Sequence, residues 1–164
     1  MHKQLLKKCL LIFSILVLLN CEQDDICIES VIESPDLIIL MLDKNNIEIR
    51  KNPSNFLIRA IDSDSIYQMN TSDSLALPLN IKKNNVLFEF ILNEGSEQQN
   101  IDTLQINYKR IDNFINAACG YRSNYILEEK PVIVLNQENN WIQGFTILKD
   151  TVSDEISAHL GILH

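Results

Sequence analysis

Beyond residue 35 a two-residue alternation of apolar and polar side chains recurs along the chain. Leu104, Ile106 and Tyr108 alternate with Thr103, Gln105 and Asn107. Leu75, Leu77 and Leu79 alternate with Ala76, Pro78 and Asn80, Ile47 and Ile49 flank Glu48, and Phe88 and Phe90 flank Glu89. A period of two belongs to extended strands with one buried face. Strands are expected near 36–43, 46–50, 55–61, 74–80, 85–92, 102–109, 118–128, 131–135, 141–149 and 155–163. Asn-, Asp- and Gly-rich runs punctuate them: DKNN, KKNN, NEGSEQQN and NQENN, residue types that favour tight turns. Only RIDNFINAA, residues 110–118, reads as a short helical turn. Pro78 lacks a ladder donor, so its strand is expected at an edge or bulge. Short strands at this spacing predict an all-β fold, an Ig-like antiparallel β-sandwich of about 8–10 strands.

The first twenty residues follow another logic. Lys3, Lys7 and Lys8 precede an apolar stretch from Leu10 to Leu19 broken only by Ser14. This is the layout of an export signal, and the stretch is short of the roughly 20 residues a membrane-spanning helix needs. An uncleaved N-terminal anchor is the other reading. LLNC, ending at Cys21, resembles the lipobox of bacterial lipoproteins, with Leu18 in the expected position and Asn20 in place of the usual small residue. Acylated Cys21 would then begin the mature chain, residues 21–26 would form an acidic tether, and residues 27–164 a single β-sandwich domain. The mature chain carries 11 basic and 22 acidic residues, a net charge of −11. Such a surface repels phosphate backbones, so no nucleic-acid partner is expected.

The cysteines then sort themselves. Cys9 leaves with the signal and Cys21 takes the lipid, which leaves Cys27 and Cys119 as an even pair in an oxidising compartment. A disulfide between them is expected, with two buried thiols or one reactive thiol as the alternatives. Alternation around CGYRSNYIL places Cys119, Tyr121, Tyr125 and Leu127 on one inward face, and Arg122 and Asn124 on the other. No cysteine–histidine spacing suits zinc, and neither metal nor cofactor is expected.

Chemistry is hard to place on the remainder. His159 falls on the outward face of the last predicted strand, and His164 is the final residue. No nucleophile elbow, phosphate loop or zinc-protease motif occurs. A hydrolase would depend on carboxylates, with Asp62 and Asp64 in IDSDS as the paired acids or a calcium site; solvated turn residues are the plainer reading. Trp141, the sole tryptophan, is a stacking platform for a sugar or a core residue at a sandwich edge. The triplet Asp, Ser or Thr, apolar recurs at Ser65, Ser74, Thr103 and Thr151. Turn-to-strand junctions generate it; it also resembles an O-glycosylation sequon of exported Bacteroidetes proteins.

DDICIES and the following SPDLIILMLD, then LALPLN, DTLQINYK and ACGYRSNY, resemble a family of Bacteroidetes lipoproteins of unknown function. The resemblance implies an exported, β-rich lipoprotein and supplies no catalytic residues. It implies an envelope partner, an outer-membrane β-barrel among them. Glu22, Asp24 and Asp25 resemble the acidic signal that sends some lipoproteins of this lineage to the cell surface. The expectation is a non-catalytic lipoprotein of the outer membrane, periplasmic or surface-exposed, with a structural or interaction role. A carbohydrate- or small-ligand-binding lipoprotein is the alternative, and a carboxylate-based hydrolase the third reading.

Overall fold

The computed structural model describes residues 27, 33–63, 65–68, 73–136 and 138–164. The predicted signal peptide, Cys21, Glu22, Asp24, Asp25 and Asp64 lie outside them. The described residues form eleven strands and no helix: β1 (Leu37–Asp43), β2 (Asn46–Arg50), β3 (Phe56–Ala60), β4 (Ile66–Gln68), β5 (Ser74–Leu77), β6 (Asn85–Leu92), β7 (Asn100–Asn116), β8 (Gly120–Val134), β9 (Gly144–Ile147), β10 (Thr151–Val152) and β11 (Leu160–Leu163). No helix among the described residues is long and apolar enough to cross a membrane.

Two sheets pack face to face as the expected sandwich. One has the order β2-β1-β11-β9, with β5 also paired to β1; the other runs β10-β8-β7-β6-β3-β4. Among the described strands, only β1 and β11 pair in parallel, Ile39 opposite Leu160 and Met41 opposite Ile162. The alternation fixes which side of each strand meets the core. Leu37, Ile39, Met41, Leu75 and Leu77 fill it from one sheet, and Phe88, Phe90, Leu104, Ile106 and Tyr108 from the other. Gly161 allows a close approach: a Cβ there would come within 2.6 Å of Leu42 Cδ1 and 2.9 Å of Thr146 Cγ2, and those side chains would have to shift. Strand β5 stops at Leu77, directly before Pro78, and pairs only with β1, as proline at an edge demands.

Three expectations are corrected. Residues 110–116 are not a helical turn; they continue β7, and the turn is confined to 117–119. The predicted strands 118–128 and 131–135 are one strand, β8. Its pairing jumps from Tyr108↔Leu127 to Ile106↔Val132, a bulge in which Pro131 needs no ladder donor. The last strand begins at Leu160, not 155, because residues 153–159 form a loop. That loop breaks the alternation, and His159 is fully buried instead of outward-facing.

His159 is a structural group. Its Nδ1 accepts the Ile38 N–H at 3.0 Å, and the His159 backbone N–H donates to the Ile38 carbonyl at 2.8 Å. The ring proton therefore sits on Nε2. Burial, then the Lys149 charge, holds its pKa below the ordinary value of 6.5. His164, whose Nε2 lies 2.8 Å from the Lys51 carbonyl, is also lowered, mainly by burial. Both rings stay neutral in the fold while the unfolded chain takes up protons. Stability is thus fully present above the unfolded value of 6.5 and lost as pH falls from there toward the depressed folded values. Thermal melts between pH 8 and 5 should show this fall, and His159→Asn, which keeps an acceptor for Ile38, should flatten it. A wild-type melting temperature constant over that range would sink the assignment.

Candidate functional site

Strand β6 supports β7 only as far as the pair Asn85↔Asn107. Beyond it, β7 and β8 continue as a hairpin arm, paired from Arg110↔Tyr125 to Asn116↔Gly120. Tyr108 and Tyr125 fix the root, with buried rings edge-to-face at 5.2 Å. The Tyr108 hydroxyl accepts the Asn80 N–H at 2.7 Å and donates to the Asn80 carbonyl at 2.9 Å, and burial raises its pKa to about 12. The arm's flanks are pinned by polar contacts. Arg110 donates to the Ile81 carbonyl and pairs with Asp112 at 3.0 Å, while Arg122 donates to the Ser153 carbonyl at 3.2 Å.

At the tip, Cys119 is half-buried and bonded to Cys27, 92 positions away in sequence, with Cα atoms 5.1 Å apart. The expected disulfide is therefore present, but it grips the tip turn, not the core face of a strand. The Asn116 side chain closes the turn by accepting the Cys119 N–H at 2.7 Å. Gly120 has φ +71°, a left-handed conformation that costs other residues roughly 1–2 kcal/mol. Of the four residues assigned to one inward face, Tyr125 and Leu127 are buried, whereas Tyr121 is 66% exposed. Past the support of β6, no strand among the described residues lies opposite Tyr121. Its ring instead meets Phe114, 60% exposed, edge-to-face at 5.3 Å.

A second open feature is the edge strand β2. All five of its residues are exposed, Ile47 at 55% and Ile49 at 53%, and β1 is its one neighbour. Such an edge presents unpaired backbone groups to a further strand.

The other candidates separate. Trp141 is buried, packs edge-to-face on Phe56 at 5.6 Å, and donates its indole N–H to the Phe90 carbonyl at 3.0 Å. It is a core residue and offers no face to a sugar. Asp62 is tied to Lys83 at 2.7 Å. It borders a cleft of about 200 Å³ lined also by Tyr67, Pro78 and Phe88, small beside the roughly 300–1,000 Å³ of typical ligand sites. Among the described residues no group of three or more His, Cys, Asp or Glu is placed to hold a metal. Ser65, Ser74, Thr103 and Thr151 are half-buried and lie on four different stretches of chain. The Thr151 hydroxyl donates to Asp150 at 2.9 Å and Ser65 receives the Ser63 hydroxyl at 3.0 Å.

One triplet owes its acid to the core. Asp102 is fully buried, and its Oδ2 accepts the Ile142 N–H at 2.8 Å. Sequence reasoning missed it because Asp102 reads as a turn residue; that it shares the face of Leu104 and Ile106 was the available signal.

Fold and surface together define a two-sheet β-sandwich domain with a disulfide-bound hairpin arm. Residues 55–164 match a family of unknown function (DUF6452), and the chain belongs to that family. The matched segment contains ACGY and begins after DDIC. No curated protein and no solved structure matches the chain.

Proposed function

We propose that this chain is a non-catalytic lipoprotein of a Bacteroidetes cell envelope, exported, cut before Cys21, acylated there, and held at the outer membrane in a structural or interaction role. The Cys27–Cys119 disulfide carries the reading. Such bonds persist in oxidising compartments, and this one lies six residues past the lipobox-like LLNC. The open β2 edge supports an interaction role, because it offers backbone pairing and two exposed isoleucines to a partner strand. An envelope protein, an outer-membrane β-barrel among them, is the proposed partner class.

Intact-mass measurement of the membrane-extracted protein tests the anchor. The expected mass is that of residues 21–164 plus acyl groups, with further mass only if Ser65, Ser74, Thr103 or Thr151 carries glycan. A mature chain without lipid overturns the proposal. Protease treatment of whole cells, repeated after replacing Glu22, Asp24 and Asp25 by alanine, reads the side of the membrane. Cleavage that the triple replacement abolishes identifies those acids as a surface signal.

A further inference from the structure

We propose that the tip of the β7–β8 arm is a membrane-contacting element that seats Phe114 and Tyr121 in the lipid headgroup region beside the acylated N-terminus. The proposal rests on the lipoprotein reading and goes beyond it. An anchor alone fixes one residue of a protein to a bilayer; this arm would fix the orientation of the whole sandwich.

Three observations converge on the tip. The first is reach. Cys27 lies six positions past Cys21, and six extended steps span at most about 20 Å. The disulfide adds 5.1 Å between Cα atoms. The turn 117–119 is therefore covalently confined to within about 25 Å of the acylated residue, whatever path the chain takes. Through the sequence alone, Cys119 has no such restriction.

The second is chemistry. Phe114 and Tyr121 stand opposite each other near the end of the arm, exposed and paired with one another. Ile111 is also exposed further down. Tyrosine sits preferentially at membrane–water interfaces, apolar ring inward and hydroxyl toward the headgroups, and the Phe114 ring beside it adds apolar surface at the same point.

The third is charge. Residues 113–121 contain no ionisable acid or base other than the tyrosine and the bridged cysteine, in a mature chain with 22 acids. The nearest charges along the two strands are Asp112 on β7 and Arg122 on β8; Asp112 is paired with Arg110 at 3.0 Å and accepts the Ser123 hydroxyl at 2.8 Å. The arm thus ends in a neutral, aromatic tip, with Asp112 behind it neutralised by Arg110, while the acids Glu22, Asp24 and Asp25 sit on the tether that joins it to the anchor. Elsewhere the mature chain's net charge of −11 favours solvent over an anionic surface.

The test uses the full lipidated protein in phosphatidylcholine vesicles, with and without lipids brominated near the headgroup end of the acyl chains. Phe114→Trp reports the tip, and Tyr121→Trp is a second reporter should the first disturb the arm. Ser96→Trp, in the 93–99 loop at the opposite end of the β6–β7 ladder, is the distal control. Wild-type emission from Trp141, hydrogen-bonded to Phe90 at that same far end, sets the background. The expected result is at least twofold quenching of the added emission at 114 or 121, and none at 96. Quenching at the tip no greater than at residue 96, in protein that floats with the vesicles, overturns the proposal and leaves the anchor standing. Protein that does not float defeats the anchor and the proposal together. An unquenched tip that crosslinks to a protein in intact cells assigns the arm to a protein partner and also overturns it.

Discussion

Replacing Cys27 and Cys119 together by serine is expected to lower the unfolding free energy by roughly 4–5 kcal/mol at 25 °C, the chain-entropy value for a loop of about 90 residues. Against a total of about 5–15 kcal/mol for a domain, that is a large share. The fold also says where the damage should start. The bridge ends on the turn 117–119, far along an arm that β6 supports no further than Asn107. Without it, the arm past Tyr108 is tied to the rest of the described residues by single hydrogen bonds such as Arg110 to the Ile81 carbonyl, Arg122 to the Ser153 carbonyl and the Ser123 N–H to the Ser34 hydroxyl at 3.3 Å. Hydrogen exchange should therefore accelerate first at 110–123, while β3, β6 and the supported half of β7 keep their protection. Urea unfolding reads the global term. Equal midpoints for wild type and double variant would deny the stabilisation. Uniform acceleration through β3, β6 and β7 would deny that the arm frays first.

The sandwich was legible because its signal is local and repeated. Leu104, Ile106 and Tyr108 announce a buried face without reference to any partner, and β2 and β6 begin and end where the alternation does. The arm was not legible, because alternation describes a strand and says nothing of whether a second sheet lies opposite. Tyr121 and Tyr125 sit four residues apart on one strand, and the first is exposed while the second is buried. What separates them is the position of β6 and β10 alongside, which is a property of pairing over long sequence distances. His159 failed for another reason: residues 155–159 belong to a loop and not to the predicted strand, so the alternation that rightly turns Leu160 and Ile162 inward does not describe them. The disulfide was visible by elimination among four cysteines, but its place at a hairpin tip needed the arm.

Asp102 is expected to act as a core latch. Asp102→Ala should cost about 3 kcal/mol, because hydrogen bonds to a charged acceptor contribute about 1.5–3 kcal/mol and an orphaned buried N–H costs a further 1–3 kcal/mol. Its Oδ2 takes the Ile142 N–H, and the neighbouring backbone N–H of Trp141 also favours the charge. The latch therefore holds the 141–142 segment against β7, and through Trp141 it reaches Phe56 and Phe90. Burial outweighs those N–H groups and raises the Asp102 pKa above its ordinary 3.8. Its linkage contribution is consequently present below 3.8 and lost as pH rises through the raised folded value, opposite in sense to the two histidines. Asp102→Asn removes that penalised charge and keeps an acceptor for Ile142, so it should destabilise less than alanine at neutral pH. Trp141 emission supplies the specific readout. Alanine should shift it to longer wavelength as the segment loosens and water reaches the indole, whereas asparagine should leave it near the wild-type position. An alanine variant that unfolds at the wild-type urea midpoint would return Asp102 to the role its sequence suggests, a turn residue ahead of a strand.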